Sequence, residues 1–305
     1  MLRLILSRLV GGVGVIIAVA TFSFLLLHAA PGGPFDAERA LAPQVQRNIE
    51  ARYHLDDSLV TQYADYMGGL AHGDFGYSLK RPMSVGEIIT THFPYSLTIG
   101  LMALLVAVGL GVGMGVIAAW RRNTGVDYAL MSMALLGISI PSIVLGPILV
   151  GIFAFGLGWL PPARIEGPAS YVLPAMCLGL IYLGTIARLA RGSMLEVLGQ
   201  DFVRTARAKG LTERAVVWKH ALRLGVVPVV TYLGPATATL ISGSFVIEKL
   251  FGVPGLGGFF VEAIVNRDYP VLSGVLVFYV AFLVMLNIVV DVVHGLLDPR
   301  IRSGR

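Results

Sequence analysis

The residues with chemistry to offer are few, and most of them sit in one stretch. Between Arg188 and Arg223 the chain carries Arg188, Arg191, Arg204, Arg207, Lys209, Arg214, Lys219 and Arg223 against Glu196, Asp201 and Glu213. Arginines spaced along a short helix suit recognition of an acidic partner and not bond-making chemistry. Elsewhere the pattern of absences is informative. The sequence has no Gly-x-x-x-x-Gly-Lys-Ser/Thr loop to cradle a nucleotide phosphate. It also lacks the His-Glu-x-x-His and Gly-x-Ser-x-Gly signatures of hydrolases. Its single cysteine, Cys177, can build neither a disulfide framework nor a paired-cysteine metal site. No metal centre and no catalytic residues are expected.

The elements that must position that basic stretch are apolar. Of the 305 residues 56% are hydrophobic and only 13% charged, about half the charge density of a soluble domain, and mean hydropathy is +0.78. Six stretches are long and apolar enough to cross a hydrocarbon core about 30 Å thick: Leu9–His28, Ser96–Trp120, Tyr128–Gly156, Tyr171–Ala187, Val226–Ile247 and Leu272–Leu297. The first follows Arg3 and Arg8 but is longer than the roughly 7–15 apolar residues of a secretory leader, so it is expected to stay as a span. The third is long enough to tilt or to break near Pro141 and Pro147. Gly109, Gly111, Gly113 and Gly115 in the second predict a face packed on protein. The expected fold is an all-α membrane protein of six transmembrane helices with a small folded extracytoplasmic loop region.

Charge sets the expected orientation. Arg3, Arg8, Arg121, Arg122, the Arg188–Arg223 stretch, Arg300, Arg302 and Arg305 all fall on one side of six alternating spans. Excess Lys and Arg mark the cytoplasmic side, so both termini are expected there. The net charge of +5 then reflects the membrane and not a nucleic acid. Asp291 and His294 lie near the cytoplasmic end of the last span, and the middles of the spans lack ionisable residues. That counts against an ion-coupled secondary carrier, and any uphill transport must draw its energy from a partner.

The organisation expected is 1–30 for the N-terminal end and first span, 31–95 for an extracytoplasmic loop region, 96–298 for the transmembrane core containing the loop 188–223, and 299–305 for a cytoplasmic tail. In the loop region Pro43–Tyr53 and Ser58–Leu70 read as short amphipathic helices, followed by the turn-rich His72–Lys80. This cap either orients the first two spans or offers a docking surface. In the cytoplasmic stretch Ser193-Met194-Leu195-Glu196 has the form of a capping box. Asp201 can cap a helix from Phe202 to Lys209, Gly210 supplies a left-handed stop, and Thr212 can cap the helix feeding the fifth span. Such a helix is either an incidental part of a topogenic loop or a lever gripped by a motor.

The string Phe202-Val203-Arg204-Thr205-Ala206-Arg207-Ala208-Lys209-Gly210-Leu211 resembles the coupling loop of ABC importer permeases in its peptide-transporter version. Of the general Glu-Ala-Ala, three residues, Gly pattern, Arg204, Thr205 and Ala206 take the first three places and Gly210 the glycine. The Glu is missing, and the downstream Pro of the general motif falls at Arg223; both departures resemble the peptide branch. Ala30–Phe35, Tyr53–Asp57, His72–Gly76, Pro254–Gly257, Asn266–Pro270 and Asp298–Arg302 are also similar to oligopeptide permeases. The resemblance, to the B-type permease of a bacterial oligopeptide importer in the cell inner membrane, covers nearly the whole chain.

It implies the type I ABC importer permease fold, a heterodimer with a second related permease, two cytoplasmic ATPases that hold ATP and Mg, and an extracytoplasmic peptide-binding protein. No cofactor is implied in this chain, which would touch only lipid and these proteins. Asp201, Arg204, Thr205, Ala206, Arg207, Lys209, Gly210 and Leu211 are the implied ATPase-coupling residues. Asp74, Phe75, Glu248, Lys249, Arg267 and Asp268 are candidate contacts for the binding protein, Glu248 and Lys249 otherwise marking the membrane boundary. Ser139, Ser142, Thr185, Thr231, Tyr232, Thr237, Thr239 and Ser242 either line the pathway or bond their own backbone and neighbouring helices. Dipeptides, nickel chelates and glutathione remain alternatives to oligopeptides.

Overall fold

The computed structural model describes residues 2–29, 57–241 and 245–297. The expected Pro43–Tyr53 helix, Ser242 and the Asp298–Arg302 ending lie outside them. Among the described residues all regular structure is helical, apart from a lone bridge between Tyr77 and Ser84.

Four helices are long and apolar enough to cross a membrane unaided: Leu6–Ala29, Val85–Trp120, Pro168–Leu198 and Tyr269–Val292. Two bent pairs, Gly125–Ser139 with Ser142–Gly156 and Glu213–Gly225 with Val227–Ile241, bring the number to six if each pair is one span. The third span breaks at Pro141, with a bend of 112°. Ile140 is extended at ψ 119°, as a residue before proline prefers, and Pro147 passes inside the second half. At about 1.5 Å per residue each half falls short of the hydrocarbon core.

The second span begins at Val85, eleven residues before Ser96. The Ser84 hydroxyl accepts the Glu87 N–H at 3.1 Å, giving the helix a capped start, and Pro94 sits within it. The fourth runs on to Leu198. Ser193–Glu196 is therefore helix interior and not a helix start: the helix runs unbroken through Gly192, held by Met194 and Val197 packing on Val116 and Ala119.

The described chain divides into two compact units. One holds the residues up to Pro94 with Gly255–Ile288. There the Leu59–Ala71 helix, whose N–H at Thr61 is capped by Ser58, lies on the first span through a Thr21–Tyr63 hydroxyl pair at 2.7 Å and His28–Gln62 at 3.1 Å. Val85, Ile88, Ile89, Leu256, Ala263, Val271 and Val275 form its core.

The other unit, Tyr95–Pro254 with the chain from Val289, is built around the fourth span. A Cβ on Gly111 would stand 2.9 Å from Ile186 Cγ2, and one on Gly179 would stand 2.7 Å from the Ala103 carbonyl. Rising residue numbers in both partners make the second and fourth spans parallel. Gly111 and Gly115 meet the fourth span as expected, whereas Gly109 and Gly113 have nothing within 4 Å. The third span runs the other way. A Cβ on Gly137 would lie 2.6 Å from the Leu180 carbonyl, and one on Gly184 would collide with the carbonyl of Ala134. Small residues let these backbones approach so closely.

Candidate functional site

Between the fourth and fifth spans lies a helix of eight residues, Asp201–Ala208. It starts one residue earlier than the sequence suggests. Gln200 is the extended N-cap residue and makes no side-chain cap bond, so Asp201 occupies the first turn, where a carboxylate favours the positive end of the helix dipole. The helix ends as expected. Lys209 is its C-cap residue, Gly210 adopts φ +78°, and two bonds close a Schellman motif. The Gly210 N–H donates to Arg207 O at 2.9 Å and the Leu211 N–H to Ala206 O at 3.3 Å. Thr212 then caps the next helix, accepting the Ala215 N–H at 3.4 Å.

Only Val203 and Ala206 of this helix are buried. Three residues apart, they share one face and pack with Val216 beneath Leu198. The rest is surface: Asp201, Phe202, Arg204, Thr205, Arg207, Lys209, Gly210 and Leu211 are all exposed. Arg207 makes a two-pronged pair with Glu213, at 2.7 and 3.2 Å. Arg204 reaches Asp201 at 3.4 Å, and Thr205 donates to Asp201 O at 3.0 Å. Eight residues cannot span a membrane. The arrangement presents an exposed, cationic knob on a two-residue apolar root.

The helix that carries this knob is itself anchored. Arg191, on the fourth span, donates to both oxygens of Asp127, each at 2.7 Å. Asp127 is buried and also accepts the Asn123 N–H at 3.0 Å. Further along, Met194 and Val197 pack with Val116, Ala119, Val217 and Ala221. A lone acid at the start of an apolar helix was the sequence signal for Asp127; Arg191 read only as one basic residue among eight.

The candidate lining residues are scattered. Ser139, Thr231 and Thr239 are exposed and each donates to the carbonyl four residues back: Leu135 at 2.9 Å, Val227 at 3.2 Å and Pro235 at 3.0 Å. Thr231 and Thr239 share one stripe of the fifth span, eight residues apart. Ser142, Thr185 and Tyr232 are half-buried and Thr237 is buried. Of the outer candidates, Asp74 and Lys249 are exposed, while Phe75 and Arg267 are half-buried.

Two of that group require correction. Glu248 is 2% exposed and takes the Ser96 hydroxyl at 2.7 Å; Asp268 is 4% exposed and takes the Ser78 hydroxyl and the Leu79 N–H. A carboxylate out of water needs such partners. Both therefore serve as internal ties and offer no surface. Arg81, unremarked in the sequence, pairs with Glu262 at 2.7 Å and lies over the Phe259 ring. No group of three metal-ligating side chains occurs among the described residues.

Residues 111–303 match the family described as the binding-protein-dependent transport system inner membrane component, and residues 1–100 match the N-terminal region of the same membrane component. The chain belongs to this family. It is thus a multi-pass membrane subunit of an ABC importer and not an enzyme. The dipeptide transport system permease protein DppB of Bacillus subtilis is 46% identical over 303 residues, covering 99% of this chain and 98% of its own length. The oligopeptide transport system permease protein OppB of Salmonella typhimurium is 45% identical over 305 residues, covering 99% and 100%. Among solved structures, the MetNI methionine ABC transporter in inward-facing conformations gives a TM-score of 0.59 at 18% identity, over 69% of this chain and 96% of the other. At that identity the likeness concerns fold alone, the type I ABC importer permease fold.

Proposed function

We propose that this permease forms, with a second homologous permease, the membrane pathway of a bacterial oligopeptide importer. Two ATPases on the cytoplasmic face hold ATP and Mg and drive it, and an extracytoplasmic peptide-binding protein supplies the substrate. The observation that carries this reading is the Schellman-stopped helix Asp201–Ala208, an exposed cationic knob between two spans. Similarity of 45–46% to peptide permeases along 99% of the chain supports the substrate class.

Asp201, Arg204, Thr205, Ala206, Arg207, Lys209, Gly210 and Leu211 couple to the ATPase. Val203 and Ala206 seat the knob on the span ends, so a push on the exposed face moves the root with it. Arg121, Arg122 and the Arg188–Arg223 stretch then face the cytoplasm together with both termini. Asp74, Phe75, Lys249 and Arg267 remain the contacts available to the binding protein. Ser139, Thr231 and Thr239, already satisfied by their own backbones yet exposed, suit a pathway of low selectivity, because none is poised to hold one substrate tightly.

The test is uptake by the reconstituted complex. Liposomes holding both permeases and both ATPases should accumulate labelled oligopeptide only with ATP inside and binding protein outside. Uptake by this chain without an ATPase would contradict the proposal. Preference for a dipeptide, a nickel chelate or glutathione would reassign the substrate within the same machinery.

A further inference from the structure

One compact unit carries a half-open cavity of about 300 Å³, at the lower end of the roughly 300–1,000 Å³ usual for small-molecule sites. The first span, the Leu59–Ala71 helix, the turn from Asp74 to Leu79 and the start of the sixth span all contribute to its wall. Most of the wall is apolar, including Phe24, Leu79 and Pro270. Its charged groups are of one sign: Asp65 and Asp74 line it, and no Lys or Arg does.

The hydrogen-bonding account of the polar lining is incomplete. Asp65 and Asp74 stand exposed at the cavity's rim: Asp65 has no partner among the described residues, and Asp74 commits only one oxygen, to the Gly76 N–H at 2.9 Å. The Tyr66 hydroxyl is buried with no partner in hydrogen-bonding geometry among the described residues. The neighbouring Ser273 hydroxyl donates to the carbonyls of Tyr269 and Pro270, at 2.8 and 3.3 Å. Burial raises the Tyr66 phenol pKa, so it stays a donor at neutral pH. A buried donor without an acceptor is uncommon and calls for one.

We propose that this cavity binds the protonated amino end of a peptide, the ammonium against Asp65 and Asp74, the first carbonyl accepting from Tyr66, and the first apolar side chain against Phe24, Leu79 and Pro270. The inference rests on the peptide reading above. It adds a recognition site for the free amino terminus within the permease itself.

The test measures binding of the tripeptide Phe-Ala-Ala to the complex of both permeases and both ATPases in nanodiscs, without binding protein. Acetylating its amino group should weaken binding about tenfold, the usual worth of a hydrogen bond to a charged group. Asp65→Asn and Tyr66→Phe, both isosteric, should each weaken the free peptide several-fold, and Asp65→Asn should erase the difference between free and acetylated forms. Equal affinity for the two forms, or wild-type discrimination in both variants, would overturn the site. An aminophospholipid headgroup presents the same ammonium. Nanodiscs with and without phosphatidylethanolamine separate the sources: unchanged peptide binding supports the proposal, and loss of binding when that lipid is present assigns the cavity to lipid instead. Uptake assays keep the two claims apart. Peptide import with binding insensitive to both variants would sink the site alone, whereas variant-sensitive binding in a complex that imports no peptide would sink the functional reading alone.

Discussion

Two arginine–carboxylate pairs in the same unit have nearly the same geometry and opposite surroundings. Arg191–Asp127 and Arg207–Glu213 both close at 2.7 Å with two bonds from the guanidinium. In the first the carboxylate is 1% exposed and the arginine 29%; in the second the partners are 49% and 41% exposed. Geometry alone would rate them equal. Burial separates them, because a carboxylate already removed from water cannot regain hydration when its partner is lost. The buried pair ties the start of the third span to the fourth, the span that leads into the coupling helix. The exposed pair lies on the helix surface, where water and salt compete with it. The molecule thus holds the carrier of the knob firmly and leaves the working face of the knob adjustable.

The largest expected effect comes from the interface that the buried pair closes. Gly184→Val would drive a side chain into the Ala134 carbonyl, and because backbone cannot yield as a side chain can, the cost should exceed the usual overpacking range, at about 4 kcal/mol or more. Markedly reduced assembly with the second permease, read by co-purification, is the expected result. Normal yield would show that the third and fourth spans are not so closely packed. Next is Arg191→Met, which strands the Asp127 carboxylate at a cost on the order of 2–4 kcal/mol. The complex should lose thermal stability, and Asp127→Leu added to it should restore much of the loss. No rescue by the second substitution would show that the pair's charge is not what matters. The smallest effect is expected for Glu213→Gln, within about 1 kcal/mol for a surface pair. Stability should change little and depend on salt, while stimulated ATP hydrolysis reports any role of Arg207 toward the ATPase. A loss of stability as large as that of Arg191→Met would erase the contrast between the pairs.

The same contrast governs what the sequence revealed. The surface helix was legible because its ends are local: Gly210 and Thr212 announce a stop and a start within a few residues, and both act as such. Boundaries drawn from hydropathy were less secure. Ser84 caps the second span, taking the Glu87 N–H, in a stretch polar enough to read as loop, and the fourth span outran its apolar segment by eleven residues. Ser193–Glu196 had the form of a helix start but lay where the helix had no end to cap. The long-range ties were invisible. Nothing local marks Asp127 as the partner of a residue 64 positions away, or Asp268 as the acceptor for Ser78. For that reason Glu248 and Asp268 looked like surface charges and are buried ones.

The central claim, that Asp201–Ala208 transmits force between ATPase and pathway, is tested most directly at Gly210. Its φ of +78° disfavours any residue with a Cβ, although a Cβ there would meet nothing within 4 Å. Gly210→Val therefore strains the stop by about 1–2 kcal/mol without disturbing packing elsewhere. Peptide uptake and binding-protein-stimulated ATP hydrolysis should be measured on the same reconstituted complex. Near-normal assembly with poor uptake and lost stimulation is the predicted result; wild-type values for both would contradict the coupling role.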